Sequence, residues 1–121
     1  MIASPGMRPT RTRTGTTYDV TIAGLDIRLT ITNLPNGQPG EVFLIAGKQG
    51  SPLAGLCEAL SLMTSLALQH HTPLTDITTR LAAMRFEPAG PTNDPDIPTV
   101  TSLADYLPRR LTLDYPVRDS D

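Results

Sequence analysis

At 121 residues, with 39% of its side chains apolar and 18% charged, the chain is long enough for one domain that buries roughly two thirds of its unfolded surface. A net charge of −2 gives no overall pull toward nucleic acid, and no apolar run nears the roughly 20 residues of a bilayer span. A soluble, cytoplasmic protein without a membrane partner is expected, and its one cysteine excludes both an internal disulfide framework and a thiolate metal cluster.

Residues 1–16 are rich in Pro, Gly, Thr and Arg, which predicts a flexible arm made basic by Arg8, Arg11 and Arg13. Those arginines suit a solubilising tail or a phosphate-bearing partner. From residue 17 the pattern becomes that of a folded domain reaching 115, followed by an acidic tail over 116–121. Tyr18, Val20 and Ile22 alternate with Asp19 and Thr21, and Ile27, Leu29 and Ile31 alternate with Arg28, Thr30 and Thr32. Two half-buried strands turning near Gly24 follow from that period. A cluster of turn residues over 34–40 leads to a third strand over 41–46, whose continuous apolar run predicts a central position buried on both faces.

At Ser51 the period changes to that of a helix. Leu53, Leu56, Cys57, Leu60, Met63, Thr64, Ala67 and Leu68 form one stripe, with Ser51 as N-cap and Pro52 at the first position. Ala59, Leu62 and Leu66 occupy the other side, so this helix is apolar nearly all round and needs a cover on both faces, from its own domain or from a partner chain. A second helix is expected from Thr72 with Pro73 at its first position and Leu74, Ile77, Leu81 and Met84 on its buried stripe. A third starts near Thr101 or Ser102, with Asp105 as a capping-box acid, and Pro108 is expected to end or kink it near Tyr106. The fold class is therefore α+β, a small antiparallel sheet of about three strands against one long and two shorter helices.

Two segments carry the candidate chemistry. Gly47, Lys48, Gln49, Gly50 and Ser51 form a glycine-flanked turn feeding a helix N-terminus, where outward amides and the chain's single lysine suit an anion. A plain strand-to-helix turn with a serine cap reads equally from the same residues. The second segment, 85–98, holds four prolines together with Gly90, Asn93 and Asp94, which predicts a loop of one fixed shape, anchored by Phe86 and Ile97 and serving as a rigid connector or a binding loop. If the two segments share a surface, Gly47, Lys48, Gly50, Ser51, Arg85, Glu87 and Asn93 make one ligand-binding set for a nucleotide or other phosphate compound. No catalytic or metal-ligating set is expected: His70 and His71 are adjacent on a helix end and point apart, and Cys57 lies on the apolar stripe as a small hydrophobe.

The run Arg85-Phe86-Glu87-Pro88-Ala89-Gly90-Pro91-Thr92-Asn93-Asp94-Pro95-Asp96-Ile97-Pro98 also resembles a segment near the C-terminus of adenosylcobalamin-dependent (class II) ribonucleotide reductases, the TSCPD domain. The likeness includes Gly37-Gln38-Pro39-Gly40-Glu41-Val42-Phe43-Leu44, the stretch from Gly47 to Leu56, Ser65-Leu66-Ala67-Leu68-Gln69-His70 and Thr101-Ser102-Leu103-Ala104-Asp105-Tyr106-Leu107, in the family's order from Tyr18 to Tyr115. By that resemblance the chain is an accessory segment linked to deoxyribonucleotide metabolism, with adenosylcobalamin a cofactor of the full-length family and not of this chain. Reductase chemistry in that family uses three cysteines, and one cysteine cannot fill three roles. The resemblance therefore implies a module that is not an enzyme on its own, partnered by a reductase catalytic chain or a nucleotide-like anion. The alternative is a repurposed interaction module that forms a homo-oligomer through its long apolar helix.

Overall fold

The computed structural model describes residues 6–116. Its elements run β1 (Gly15–Ile22), β2 (Leu25–Asn33), β3 (Pro39–Ala46), α1 (Pro52–Gln69), α2 (Leu74–Leu81), β4 (Gly90–Pro91), β5 (Thr99–Val100) and α3 (Leu103–Asp114). The α+β class holds, with one antiparallel sheet in the order β1-β2-β3 and a two-residue ladder between β4 and β5.

Register makes the sheet two-faced. Val20 sits opposite Ile27, Tyr18 opposite Leu29, Leu29 opposite Leu44 and Ile31 opposite Val42, so every apolar residue of the alternation lands on one side. The β1–β2 turn puts Ala23 at φ 49° and Gly24 at φ 85°, the paired left-handed geometry that suits the twist of a two-residue hairpin. Glycine takes this conformation freely and alanine does not. Ala23 is held there by its amide, which donates to the Pro91 carbonyl at 2.8 Å.

The third strand corrects the sequence reading. β2 is central and β3 is an edge, with Val42, Leu44 and Ala46 buried but Phe43 and Ile45 left 43% and 60% exposed on the outer face. A continuous apolar run normally marks a strand buried on both faces, whereas here the outer face of β3 is open and the cover lies along the edge. Its free edge is taken up by α1. The Leu44 amide donates to Ser61 Oγ at 2.8 Å and the Val42 amide to Ser65 Oγ at 2.9 Å, while Gln69 Nε2 donates to the Gly40 carbonyl at 2.9 Å. Four helical residues rise about 6 Å and two strand residues about 6.7 Å, so a polar side chain every fourth position keeps step with every second strand residue. The helix thus does for β3 what a fourth strand would do, which removes an exposed sheet edge.

The long helix begins as expected, with Ser51 Oγ accepting from the Ala54 amide at 3.1 Å and Pro52 at the first position. Its buried side is narrower than the apolar stripe suggests. Cys57, Ser61, Thr64 and Leu68 are buried, whereas Leu56 and Met63, both expected on the core stripe, are more than 60% exposed. The second helix starts one residue later than expected, and it stops at Leu81, leaving Met84 outside and exposed. Its buried contact is Ile77, and it packs against α3.

Pro108 does not break the third helix, which runs unbroken from Leu103 to Asp114. A proline removes one backbone hydrogen bond and crowds the preceding turn. Leu103, Tyr106, Leu107 and Leu111 are each no more than 2% exposed, and burial of roughly 1.5–3 kcal/mol per large apolar side chain outweighs that loss. The N-terminal segment is attached where it is described: the Met7 amide donates to the Gln69 carbonyl at 2.8 Å, Arg13 pairs with Glu41, and Thr14 accepts from the Asn33 amide at 2.8 Å. The first five residues of the expected arm, and 117–121 of the expected tail, lie outside the described residues.

Candidate functional site

The loop over 85–98 is built from its own short-range hydrogen bonds. The Asp96 amide donates to Asp94 Oδ1 at 2.9 Å, the Asp94 amide to Thr92 Oγ1 at 3.0 Å, and the Thr92 amide to the Pro98 carbonyl at 2.9 Å. Asp94 is the local turn its residue type suggests. Asn93 behaves differently: its Oδ1 accepts from the Thr21 amide at 2.8 Å, which continues the β1 edge into the loop. Ile97 is the buried anchor, but Phe86, expected as the other, is 42% exposed.

What fixes the loop to the domain is Arg110, on α3 and only 6% exposed. Its Nη1 donates to Asp94 Oδ2 at 2.9 Å and to Asp96 Oδ2 at 3.2 Å, and its Nη2 to Asp114 Oδ1 at 3.0 Å. The guanidinium lies 4.5 Å over the Tyr18 ring, a cation–π contact, and Tyr106 donates its hydroxyl to Asp94 Oδ2 at 2.7 Å. Tyr18 in turn donates to Asp114 Oδ2 at 2.5 Å. One cation therefore ties the loop, α3 and β1 together.

Protonation states follow from this arrangement. Burial pushes the Asp94 carboxyl up, but the bonds from Tyr106, the Asp96 amide and Arg110 outweigh it and hold it below the ordinary carboxylate value. Burial, reinforced by Asp114, pushes Tyr18 up to about 12, and burial with Asp94 raises Tyr106 as well. A depressed carboxylate contributes stability that is present above its unfolded pKa and lost as pH falls through its folded one. A raised phenol contributes stability that is present below its unfolded pKa, 10, and lost as pH rises toward 12. The expected thermal-denaturation profile is therefore flat from about pH 5 to pH 9, falling below about pH 4 and again above about pH 10. A midpoint that declines steadily across pH 5–9 would contradict this.

Asp105 is the second organising carboxylate. Ser102 Oγ caps the helix by accepting from the Asp105 amide at 3.1 Å, as the capping-box spacing predicts. Its reciprocal half differs, because the Asp105 carboxylate accepts from the Thr101 amide at 3.1 Å and the Ala83 amide at 3.0 Å instead of reaching the Ser102 amide. Arg109 adds a contact at 3.3 Å. Burial raises this carboxyl, and the two backbone bonds together with Arg109 bring it below its usual value.

The glycine turn at the start of α1 is constrained at two positions. Gly47 (φ 77°) is tightly enclosed, since a Cβ there would lie 3.0 Å from Ser51 Oγ and 3.3 Å from Leu53; Gly50 also has positive φ, 84°. The Ser51 amide donates to the Lys48 carbonyl at 2.9 Å, and Lys48 itself is exposed. Gly47 and Asn93 line one open hollow of about 480 Å³ with Asp19, Asp26 and Arg28, while Arg85 and Glu87 line another of about 510 Å³ beside Gly90 and Thr101. Of the expected set, Gly47 and Asn93 thus share one hollow and Arg85 and Glu87 another, and Lys48, Gly50 and Ser51 line neither. The division arises because Asn93 is drawn onto the β1 edge while Arg85 and Glu87 stand at the β4–β5 end of the loop.

Cys57 is 3% exposed, and burial pushes its thiol up, away from the reactive thiolate. Sequence reasoning passed over Arg110, Ser61 and Ser65. The signal for the first was the spacing Tyr106, Arg110, Asp114, which places an aromatic, a cation and a carboxylate on one helix face.

Residues 3–115 match the TSCPD domain. The chain is 44% identical over 103 residues to a vitamin B12-dependent ribonucleotide reductase of Streptomyces avermitilis, covering 85% of this chain and 11% of that protein. One from Streptantibioticus cattleyicolor matches at 44% over 103 residues, covering 85% and 17%, and one from Rhodopirellula baltica at 35% over 104 residues, covering 86% and 10%. The chain thus spans between 10 and 17% of the length of these relatives, and no solved structure matches it significantly. Since the family match takes in nearly every described residue, including the loop, the glycine turn and the Thr-Ser-x-x-Asp-Tyr helix, the chain belongs to the TSCPD domain family, a segment found in vitamin B12-dependent ribonucleotide reductases.

Proposed function

We propose that this chain is a non-catalytic accessory domain linked to deoxyribonucleotide metabolism, and that it works in the cytoplasm by docking to a ribonucleotide reductase catalytic chain. The observation that carries this reading is where its distinctive residues are spent. Asp94, Asp105, Tyr106 and Ser102 make internal hydrogen bonds, and the one thiol is buried, so the polar groups serve the fold while apolar side chains are left on the surface.

The test has two arms. Pure protein incubated with adenosylcobalamin, a dithiol and each ribonucleotide is expected to form no deoxynucleotide; protein-dependent formation above a heat-killed control overturns the non-catalytic reading. Mixed with a vitamin B12-dependent reductase chain from which this segment has been deleted, the protein is expected to co-sediment and to raise its turnover. Separate sedimentation at tens of micromolar removes the docking reading. A second reading, a phosphate site at the glycine turn, draws support from α1 carrying no acidic side chain in its first turn next to exposed Lys48. Calorimetry with nucleoside phosphates on the native protein and Lys48→Ala decides it: a site at the turn loses affinity in the variant, and unchanged affinity removes this reading.

Among the described residues no helix is long and apolar enough to cross a membrane.

A further inference from the structure

The helix α1 carries one charged residue, Glu58, over its 18 positions, and it has two apolar sides. At about 100° per residue, the buried Cys57, Ser61, Thr64 and Leu68 occupy one arc, and Leu62, Gly55, Leu66, Ala59, Met63 and Leu56 occupy a second arc of about 120° on the far side. Every residue of the second arc is exposed. Phe43 of β3 extends it, lining a hollow of about 480 Å³ together with Leu62 and Leu66. An apolar arc of that width is the kind a helix normally buries.

We propose that this arc is covered by the same arc of a second copy of the chain, in an antiparallel α1–α1 pair about a two-fold axis. The proposal rests on the accessory-domain reading and assigns the α1 arc to a second copy, which leaves docking to a reductase to the other exposed apolar side chains, Met84, Phe86 and Leu113. Size is the first argument. Phe43, Ile45, Leu56, Leu62, Met63 and Leu66 are each 43–68% exposed. Together they leave an apolar area on the order of 600 Å², at the top of the range for a monomer's largest patch. With a polar rim added, that approaches the roughly 800 Å² each partner contributes to a standard interface.

Shape is the second argument, and it selects a copy over an unrelated partner. On the side of the arc nearer Phe43, the N-terminal positions Gly55 and Ala59 are small and the C-terminal positions Leu62 and Leu66 are bulky, with Leu56 and Met63 on the other side. No heavy atom lies within 4 Å of where a Gly55 Cβ would stand, so that position is open to an incoming side chain. An axis between Leu60 and Ser61 sets Gly55 against the partner's Leu66 and, by the same operation, Ala59 against the partner's Leu62. Leu62 and Leu66 thus each meet a small residue. A symmetric interface requires this reciprocity, in which each contact appears twice. Ridges entering recesses also allow the close axial approach of well-packed helices.

Sedimentation equilibrium on the full chain tests the pairing. The 13.0 kDa chain is expected to run as a species of twice that mass at micromolar concentration. Leu62→Glu and Leu66→Glu are each expected to weaken the association on the order of a hundredfold, because an unpaired carboxylate enters the centre of the contact. Circular dichroism of each variant checks that the fold is kept. As an independent readout, the Ala59→Cys, Leu62→Cys double variant is expected to form a covalent dimer under mild oxidation, since the two positions face each other across the axis. A single species of 13.0 kDa at several hundred micromolar overturns the proposal, as does an association that both glutamate variants leave intact. Neither result bears on docking to a reductase, which the co-sedimentation assay reads separately.

Discussion

Replacing Arg110 with leucine is expected to destabilise the domain by about 3–5 kcal/mol, the usual cost of removing one partner from a buried ion pair. Asp94 would remain, 8% exposed, with its Oδ2 held only by Tyr106, while Asp96 and Asp114 would lose their shared cation. Leucine preserves much of the packed volume, so the loss reports the charge and its hydrogen bonds more than a cavity. A domain of this size shifts its Tm by roughly 4 °C or more per kcal/mol, so the melting point should fall by about 12–20 °C at fixed protein concentration. Adding Asp94→Asn to Arg110→Leu should recover part of the loss by removing the orphaned charge. Tyr106→Phe, which removes one bond to Asp94, should cost about 1.5–3 kcal/mol by itself. A melting point within 3 °C of the native protein for Arg110→Leu would show that the cluster is solvated and does not hold the loop.

The same cluster marks the limit of what could be read from the sequence. Alternation at Tyr18, Val20 and Ile22 and at Ile27, Leu29 and Ile31 gave the first two strands and their inner face, because each side chain's direction depends only on its parity. The serine caps of α1 and α3 were legible for a similar reason: the capping group and the amide it holds are three residues apart. Position in the sheet was not local information. Phe43 and Ile45 read as buried because the run 42–46 has no polar break, whereas α1 covers only the free edge of this strand and its outer face stays open. Ser61, Ser65 and Gln69 looked like neutral helix residues until their partners, 17 to 29 positions away, were in view.

The proposed site shows the same division. Residue type and turn propensity placed Gly47, Lys48 and Ser51 correctly at the mouth of α1, and the loop shape around Asp94 followed from its own Asx chemistry. Whether those pieces share a surface depends on long-range geometry. Asn93 is 72 positions from its partner Thr21, and this bond, unseen in the sequence, turns Asn93 toward the Gly47 hollow and away from Arg85 and Glu87. Pro108 failed as a helix stop for the complementary reason. Its penalty is local and fixed, whereas the burial of Leu103, Leu107 and Leu111 that outweighs it is tertiary.

Asp105→Ala is expected to cost about 2–3 kcal/mol, and to do so through the backbone more than through charge. Two main-chain donors, the amides of Ala83 and Thr101, lose their acceptor, and an amide left without one costs roughly 1–3 kcal/mol; the lower end applies because Ala83 is exposed and water can reach it. Ala83 has φ 65°, a left-handed conformation that is unfavourable for alanine by about 1–2 kcal/mol, so its bond to Asp105 also holds a strained residue at the end of α2. Removing the carboxylate should release that strain by letting the 82–84 segment relax, which makes the net loss smaller than the sum of two orphaned amides. Hydrogen exchange distinguishes this account from a simple loss of the Arg109 ion pair: the Ala83 and Thr101 amides should exchange at least tenfold faster in Asp105→Ala, while Arg109→Ala leaves both protected. Asp105→Asn keeps one acceptor oxygen and should fall between the two. If Arg109→Ala exposes the same amides as Asp105→Ala, the charge pair and not the backbone clamp organises this corner, and the Thr-Ser-x-x-Asp spacing needs a different physical explanation.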